Sequence, residues 1–496
     1  MLKKSYNNKV KMIYIDPLYN TGNDFVYNDK FKISKEEYDN LTDKDREIYD
    51  KKMEAISSAS GQKHSKWLSM MYPRLVAAKE LLTDDGVIFI SIDDNEQAYL
   101  KVLCDDVFGG GNFVGTMIRK TASNRAMAKY FNCLHEYCLL YCKNINCLDI
   151  KGELKDVSNY TNLDSDPNGA WTSGNPSISG SSNNFGVENP YTHKINYPPR
   201  GRGWVFNQEK MKKLIESGQL VFKKEYRENE RGFFLKQYLE GKSKYQLVNS
   251  MFFARNEFLN QVATKNDTTI FDENIFSNPK PVIFIKNLIK FSTQKDSICL
   301  DFFVGSGTTG QAVMELNNED GGDRKFILVQ LPEKISEKQP AYKFCKDNNF
   351  EPVISSITKE RLRRAGAKIT QQQNLLNKVD VGFKCYKIVE NSTQNQFEEN
   401  LFGWNEKNND FLLSYIALMY GYGLNFTATK IETFENREFY LLSSDMVELA
   451  SAVCILEKEP ISDNDVLKLV QVLQKEYETK TLQFFARDRA LSLETS

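Results

Sequence analysis

The segment Asp301-Phe302-Phe303-Val304-Gly305-Ser306-Gly307-Thr308-Thr309-Gly310 follows the apolar run Ser297-Ile298-Cys299-Leu300 and enters a stretch with helical character. Glycines at a turn between a strand and a helix let a ligand approach the backbone, and open α/β sheets bind ligands at that edge. Their spacing also fits the G-x-G-x-x-G pattern of dinucleotide sites. A phosphate loop fits less well, because Thr308-Thr309 stands where Lys-Ser/Thr is needed. The segment predicts a ligand-binding turn, although a tight turn without a ligand remains open.

A second motif, Asp16-Pro17-Leu18-Tyr19, closes the apolar run of residues 11–15, so its aspartate is expected at the carboxyl edge of a sheet. In an aromatic exocyclic amine the nitrogen lone pair is delocalised into the ring. A carboxylate from Asp16 and the carbonyl of Pro17, each accepting one N–H bond, would favour a pyramidal nitrogen. Tyr19 would stack on the ring. A strand that ends in an ordinary Asp-Pro turn is the alternative for this tetrapeptide by itself.

Short apolar runs alternate with amphipathic stretches on both sides of these motifs. Residues 87–92, 297–300 and 326–329 are predicted strands, whereas residues 66–82 and 284–289 are predicted helices. Strands separated by helices favour a parallel sheet covered by helices, which places the chain in the α/β class.

The length of 496 residues indicates several packed units. Residues 151–275 are rich in Asn, Ser, Gly, Pro and aromatic side chains, with little periodicity before about residue 210, and this texture is typical of an inserted, loop-rich region. Regular α/β texture precedes it over residues 1–150 and returns over 276–370. A polar Gln/Asn stretch at 371–377 is a predicted boundary, and residues 378–496 form a further α+β unit.

The formal net charge of −1 hides a basic stretch. Between Pro190 and Tyr245 nine Lys and four Arg stand against six Glu and no Asp, a net charge of +7. A local positive surface is sufficient to attract a phosphate backbone. Within this stretch Arg200, Arg202 and Trp204 combine cations with an aromatic ring, as a phosphate-contacting or base-reading loop would. In a protein that acts on DNA we would interpret this loop as a DNA contact, and a solvated loop is the alternative. Lys359, Arg361, Arg363 and Arg364 are interpreted as a solvated helix face.

Together, Asp-Pro-x-Tyr before Phe-x-Gly-x-Gly, with a recognition region between them, resembles the β-class amino-methyltransferases of DNA. The resemblance extends to the modification (Mod) subunits of type III restriction–modification systems over about residues 10–370. It is carried by the following segments: Asp16-Pro17-Leu18-Tyr19-Asn20-Thr21-Gly22-Asn23-Asp24-Phe25, the helix at 66–82, Asn278-Pro279-Lys280-Pro281, Asp301–Thr309, and Arg324-Lys325-Phe326-Ile327-Leu328-Val329-Gln330-Leu331-Pro332-Glu333.

This resemblance implies a doubly wound methyltransferase sheet with permuted motif order. Residues 1–150 would form its catalytic half, 151–275 a target-recognition region, 276–370 the half that binds S-adenosylmethionine, and 378–496 a C-terminal domain. An Asp-led tetrapeptide with an aromatic fourth residue resembles the adenine enzymes rather than the cytosine enzymes. The implied cofactor-binding residues are Phe303, Gly305, Gly307, Lys280, Pro281 and Glu333, the last on the ribose hydroxyls, and the implied catalytic residues are Asp16, Pro17 and Tyr19.

The resemblance further implies double-stranded DNA as substrate, base flipping, a homodimer and a separate restriction subunit that carries helicase and nuclease activity. Two features depart from the family: Leu18 stands where it usually has Pro, and only 15 residues precede Asp16. The short lead-in would fit a truncation, a mis-assigned start or a split gene. The alternative function is therefore a catalytically impaired DNA-binding specificity subunit. A small-molecule dinucleotide enzyme is a weaker alternative, because it leaves the basic stretch without a role.

Other signals are negative. Cys133, Cys138, Cys142 and Cys147 do not have zinc-site spacing, and residues 135–142 favour a buried strand, so no metal is expected. The nine cysteines include no C-x-x-C pair, which favours reduced thiols in the cytoplasm. No apolar run approaches the roughly 20 residues of a membrane span, and no signal peptide is recognised.

Overall fold

The computed structural model describes residues 2–21, 62–123, 130–227, 230–241, 245–276, 279–372, 379–387, 409–431, 438–444, 446, 450–456, 462–476 and 481–486. Of the segments that carry the resemblance, residues 22–25 and Asn278 lie outside these ranges, as do residues 373–377 of the expected boundary. Among the helices in these ranges, none has the length and apolar character needed to cross a membrane.

Strands and helices alternate through most of the chain. The strands are β1 (Val10–Ile15), β2 (Leu82–Ile92), β3 (Phe113–Lys120), β4 (His135–Cys142), β5 (Glu153–Leu154), β6 (Trp171–Gly174), β7 (Ser177–Ser179), β8 (Val187–Glu188), β9 (Ile195–Asn196), β10 (Arg202–Trp204), β11 (Leu220–Phe222), β12 (Phe233–Tyr238), β13 (Tyr245–Gln246), β14 (Ile298–Asp301), β15 (Lys325–Leu328), β16 (Phe426–Lys430), β17 (Phe439–Ser444), β18 (Ala450–Ile455) and β19 (Thr481–Ala486). The helices are α1 (Leu2–Tyr6), α2 (Gln62–Leu81), α3 (Gln97–Cys104), α4 (Gln208–Glu216), α5 (Asn260–Phe271), α6 (Val282–Ser292), α7 (Thr308–Asp320), α8 (Pro340–Asp347), α9 (Ile354–Gln372), α10 (Asn409–Met419) and α11 (Asp463–Glu476).

The central sheet has the strand order β15-β14-β1-β2-β4-β3. Its first four strands are parallel, with Ile13 opposite Leu300 on one side and Ile15 opposite Ile90 on the other. The carboxyl ends of β1, β2 and β14 consequently meet at one edge of the sheet. β4 runs antiparallel to β2, with Tyr137 opposite Ile92, so the start of β4 reaches the same edge.

Helices cover both faces of this sheet. Successive side chains of a strand point to opposite faces, so a fully buried strand contributes side chains to the core on each side. Every residue of β1 is buried. Ile13 and Ile15 belong to the same core as Trp67 and Leu75 of α2. Tyr14 meets Phe284 of α6 edge to face, with ring centroids 6.1 Å apart. The predicted α/β class with a helix-covered sheet is confirmed, and its β4–β3 margin is antiparallel.

The chain divides into two compact units, one of Met1–Ile150 with Asn249–Ser496 and the other of Lys151–Val248. The second unit consists of short antiparallel pairings around an apolar core. The predicted insert extended to residue 275, and that boundary is wrong. Residues 249–275 pack in the first unit, where the Ser250 carbonyl accepts a bond from the Ile118 amide and the Phe258 carbonyl accepts one from Arg119.

Beyond residue 378 the described chain contains α10, α11 and a four-stranded sheet of order β16-β17-β18-β19. β18 and β19 are parallel, whereas the other neighbours are antiparallel. The N-terminal helix α1 contacts this part, because Ser5 donates to the Leu418 carbonyl and the Tyr6 hydroxyl accepts from the Leu424 amide at 2.7 Å.

Candidate active site

Two loops meet at the carboxyl edge of the central sheet, one after β1 and one after β14. Asp16 follows β1 directly, and Asp301 is the last residue of β14. β1 and β14 are neighbouring parallel strands, so the two motifs that stand 285 positions apart in the sequence converge. The sequence places both at strand ends, and the sheet order makes them adjacent.

The Asp16 carboxylate is bonded on both oxygens. The Tyr19 hydroxyl donates to Oδ1 at 2.8 Å, and the Lys280 ammonium lies 2.9 Å from Oδ2. Lys280 also donates to the Tyr19 hydroxyl at 2.9 Å. Burial raises the pKa of Tyr19 well above its ordinary value, and the charges of Asp16 and Glu136 add to the rise. The Tyr19 hydroxyl therefore stays protonated and acts as a donor.

Glu136, at the start of β4, completes this cluster and was not predicted from the sequence. Its Oε1 lies 3.4 Å from Lys280 and accepts from Arg119 Nε at 2.7 Å, and its Oε2 lies 3.2 Å from the Tyr19 hydroxyl. Burial raises the pKa of Glu136, but the positive charges of Lys280 and Arg119 outweigh it and leave the pKa below the ordinary value. Glu136 is therefore a buried carboxylate in its charged form.

Leu18 is held by a contact from α2. Trp67 Nε1 donates to the Leu18 carbonyl at 2.6 Å, and the indole is 5% exposed. This bond fixes the turn between Asp16 and Tyr19 at the position where the family usually has a rigid proline. Trp67 of α2 thus restrains a turn whose backbone leucine, unlike proline, does not restrain by itself.

If the site carries out the methyl transfer that the motifs imply, Trp67→Phe is expected to lower its rate about 10-fold, because the partly buried Leu18 carbonyl loses its donor and the turn loosens. The Michaelis constant for the ligand of the glycine turn should stay within about twofold, since the bond that Trp67 donates goes to the Asp16 loop and not to the glycine turn. Steady-state kinetics with each substrate varied in turn measures both quantities. An unchanged maximal rate in a folded variant would mean that the turn needs no such restraint.

The glycine turn is fixed by contacts from two other segments. Gly305 and Gly307 have φ of +55° and +95°, in a backbone region that residues with a Cβ rarely adopt. The Gly305 amide donates to Gln330 Oε1 at 2.8 Å, and its carbonyl accepts from Thr358 Oγ1 at 2.6 Å. Gln330 lies two residues beyond β15, and its contact with the turn was not predicted.

Arg361 supports the same turn from α9, and its assignment to a solvated helix face was wrong. It is 0% exposed. Its Nη1 donates to Ser306 Oγ at 2.8 Å and lies 3.2 Å from Asp267 Oδ1, while its Nε donates to Gln311 at 2.7 Å. α9 turns this one cation of the Arg-rich stretch inward, where Asp267 balances its charge.

Asp301 is the buried acid of the glycine loop. The pKa of its carboxyl is raised to about 7, chiefly by burial. The nearby charge of Asp16 adds to the rise, whereas hydrogen bonds from the Thr309 hydroxyl and the Phe303 amide act against it. Its Oδ1 accepts from the Phe303 amide at 2.9 Å. The effect of the Asp16 charge on Asp301 follows from the pairing of β1 with β14, which places the two loops side by side.

Asp301→Asn is expected to flatten the dependence of stability on pH. The folded-state pKa is above the ordinary value, so the stability that the Asp301 proton contributes is present below about pH 4 and lost as pH rises to about 7. In this window the wild type should lose at most about 1.4 kcal/mol per pH unit relative to Asp301→Asn. Urea denaturation of both proteins at about pH 5 and about pH 8 measures the difference, and parallel curves would contradict it.

The structure brings three of the predicted site residues into direct contact, namely Asp16, Tyr19 and Lys280. Phe303 packs against the same core as Tyr19. The Arg74 guanidinium lies over the Phe303 ring, 6.0 Å from its centroid. Pro281 precedes α6 as its N-cap. Glu333 was predicted to close the strand that follows the glycine helix. That strand ends at Leu328, so Glu333 lies in the loop five positions later and is partly exposed.

The three residues interpreted as a DNA contact differ in the second unit. Arg200 is exposed. Arg202 donates to the Ser177 hydroxyl at 3.2 Å and to its carbonyl at 2.5 Å. Trp204 is 0% exposed and donates to the Phe185 carbonyl at 2.8 Å, inside the core of the unit. The interpretation of Trp204 as a DNA contact is therefore corrected: its ring packs against Phe233 and holds the loop in place.

Fold and site define an α/β domain of the class that binds its ligands at the carboxyl ends of parallel strands, with a carboxylate loop beside a glycine loop. Residues 10–339 match the family model described as DNA methylase, and the chain belongs to this family. The resemblance seen in the motifs is thereby confirmed.

The chain is also similar to individual proteins of known sequence or structure. The chain is 35% identical to the type III restriction–modification enzyme StyLTI Mod subunit of Salmonella typhimurium, over 78% of this chain and 58% of the relative. It is 29% identical to the type II methyltransferase M.KpnI of Klebsiella pneumoniae, over 73% of this chain and 83% of the relative. A solved PvuII DNA methyltransferase, described as cytosine-N4-specific, superimposes with a TM-score of 0.31 at 12% identity, over 73% of this chain and 88% of the other. The chain thus spans about three fifths of the length of the Mod relative.

Proposed function

We propose that this protein is a site-specific DNA adenine-N6 methyltransferase that uses S-adenosylmethionine and serves as the modification subunit of a type III restriction–modification system. The observation that carries the proposal is the convergence of Asp16 and the glycine turn at the carboxyl ends of β1 and β14, which are neighbouring parallel strands. Membership of the DNA methylase family and the Mod relative support it.

The residues of the glycine loop fit S-adenosylmethionine. Among the described residues a Cβ at Gly305 would meet only the Phe276 ring, at 3.6 Å, which leaves room for a ligand against the backbone there. Gly305, Gly307 and Phe303 would line the cofactor, Lys280 and Pro281 would lie beside it, and Glu333 would bind the ribose hydroxyls. When bound, the cofactor supplies a methyl group on a positively charged sulfur, which an amine nitrogen can attack.

The residues of the first loop would prepare that nitrogen. The Asp16 carboxylate accepts one N–H bond of the exocyclic amine and the Pro17 carbonyl accepts the other, so the lone pair leaves the plane of the ring. Tyr19 stacks on the base, which must leave the duplex to reach the site. An Asp-led tetrapeptide with Tyr in fourth position favours adenine over cytosine.

DNA recognition would be the role of the Lys151–Val248 unit, which contains the whole basic stretch between Pro190 and Tyr245. Arg200 and Arg202 would contact phosphates of double-stranded DNA. A homodimer in the cytoplasm, joined by a restriction subunit with helicase and nuclease activity, would complete the system. The alternative is a DNA-binding specificity subunit whose catalysis is impaired, and Leu18 in place of the usual proline is the observation that favours it.

The product identifies the reaction. Chromosomal DNA from a strain without DNA methylation is incubated with the protein and S-adenosylmethionine, digested to nucleosides and analysed by mass spectrometry. We expect N6-methyladenine. N4-methylcytosine would overturn the choice of base, and no methylated nucleoside from folded protein that binds DNA would establish the alternative.

A further inference from the structure

Both oxygens of the Asp16 carboxylate already have a partner among the described residues. Oδ1 accepts from the Tyr19 hydroxyl at 2.8 Å, and Oδ2 lies 2.9 Å from the Lys280 ammonium. The proposed chemistry needs the same carboxylate to accept an N–H bond from the target amine. The ammonium of Lys280 is itself an N–H donor, so it competes with an incoming amine for Oδ2 and holds the negative charge that would strengthen the bond to the amine.

A second acceptor for this ammonium lies within reach. Glu136 Oε1 is 3.4 Å from Lys280 Nζ, which is longer than a good hydrogen bond but within ion-pair distance. The side chains of Lys280 and Glu136 are only 10% and 7% exposed. A buried ammonium that lost its carboxylate without replacement would cost several kcal/mol. A neighbouring buried carboxylate removes most of that cost, because the ammonium never becomes unpaired.

We propose that Lys280 is a displaceable counter-ion of Asp16, and that Glu136 is the positioning residue that receives the Lys280 ammonium when the target base enters. The inference rests on the proposed function. In the absence of DNA, Lys280 neutralises Asp16 and closes the site. When the amine arrives, a short movement of the ammonium toward Glu136 frees Oδ2.

Glu136 has another partner, so a purely structural role must be separated from the proposed one. Arg119 Nε donates to Glu136 Oε1 at 2.7 Å, but its other nitrogens donate to the Phe258 carbonyl at 2.7 Å and to Asn260 Oδ1 at 2.8 Å. Glu136→Gln keeps an acceptor for Arg119 and removes the negative charge that attracts Lys280. This substitution therefore tests the charge more than the packing.

The test measures base entry without requiring turnover. The target sequence is first located by sequencing methylated DNA, and the target adenine is then replaced by 2-aminopurine, whose fluorescence rises when it leaves the duplex. S-Adenosylhomocysteine keeps the complex unreactive. Wild type, Glu136→Gln, Lys280→Met and the double variant are compared, with Lys280→Gln as a second neutral background and thermal melting as the control for folding.

Glu136→Gln is expected to lower the fluorescence amplitude about 10-fold with Lys280 present, and by less than about twofold in either neutral background. A matched control is Glu96→Gln, another buried carboxylate next to the Asp16 loop, which is bonded to His64 at 2.7 Å. Glu96→Gln should change the fluorescence amplitude by the same factor with Lys280 present and in either neutral background.

An unchanged amplitude in Glu136→Gln, or an equal loss with and without Lys280, would overturn this inference while leaving the proposed function intact. Absence of methyl transfer by the wild type would overturn the proposed function itself. The two failures are thus distinguishable, because methyl transfer by the wild type is measured before the target base is replaced.

Discussion

Asp16→Ala is expected to lower the rate of methyl transfer to DNA by roughly 10³-fold, because the target amine loses the charged acceptor that makes its nitrogen nucleophilic. The affinity for S-adenosylmethionine should stay within about threefold, since the glycine loop keeps its contacts with Gln330 and Thr358. Single-turnover transfer of a labelled methyl group and equilibrium binding of the cofactor measure the two quantities separately.

Asp16→Asn is the matched variant. It keeps the size of the side chain and one oxygen acceptor for the Tyr19 hydroxyl, but it removes the charge that Lys280 balances at 2.9 Å. We expect a loss nearly as large as with alanine, because a neutral amide oxygen is a weaker acceptor than a carboxylate. A rate within tenfold of the wild type for both variants would exclude Asp16 from the chemistry.

Gly307→Ala is expected to weaken cofactor binding by roughly 10- to 100-fold and to destabilise the fold by about 1–2 kcal/mol. Gly307 has a φ of +95°, and a Cβ there would meet Thr358 Cγ2 at 3.1 Å and the Thr358 carbonyl oxygen at 3.3 Å. The turn must shift away from α9, and the backbone that the cofactor approaches shifts with it. Calorimetric titration with S-adenosylmethionine measures the affinity.

Gly321→Ala is the control for the glycine turn. Gly321 ends the same helix, α7, with a φ of +65°, and a Cβ there would meet no atom of the described part of the chain within 4 Å. The backbone strain is comparable, but the residue lies at the end of the helix away from Asp16. We expect a similar loss of stability with unchanged cofactor affinity. Equal effects of both substitutions on affinity would show that Gly307 acts only through stability.

The two site loops could be predicted from the sequence because each follows a buried apolar strand. β1 was expected at residues 11–15 and is found at Val10–Ile15, and β14 was expected at 297–300 and is found at Ile298–Asp301. A polar motif directly after such a run lies at a sheet edge whatever the details of packing. Local sequence is sufficient for that conclusion.

Glu136 and Arg361 could not be placed in this way, because their roles depend on long-range packing. Glu136 reaches the site because β4 runs antiparallel to β2, which brings the start of β4 to the carboxyl end of β2. An apolar run in the sequence does not indicate the direction of its strand. Arg361 lies in a run of cations on one helix, and a buried partner on α5, Asp267, accounts for its complete burial. Trp204 was misassigned because its aromatic ring stands in a basic segment of the sequence. In the structure the ring is buried in the apolar core of the Lys151–Val248 unit.

The most direct test of the account follows a single methyl group. Protein preloaded with S-adenosylmethionine labelled in its methyl group is mixed with duplex DNA and an excess of unlabelled cofactor. If the glycine loop and the Asp16 loop form one site, the label is transferred within one turnover and is recovered on the N6 atom of adenine. Folded protein that binds both ligands yet leaves the DNA unlabelled would contradict the account.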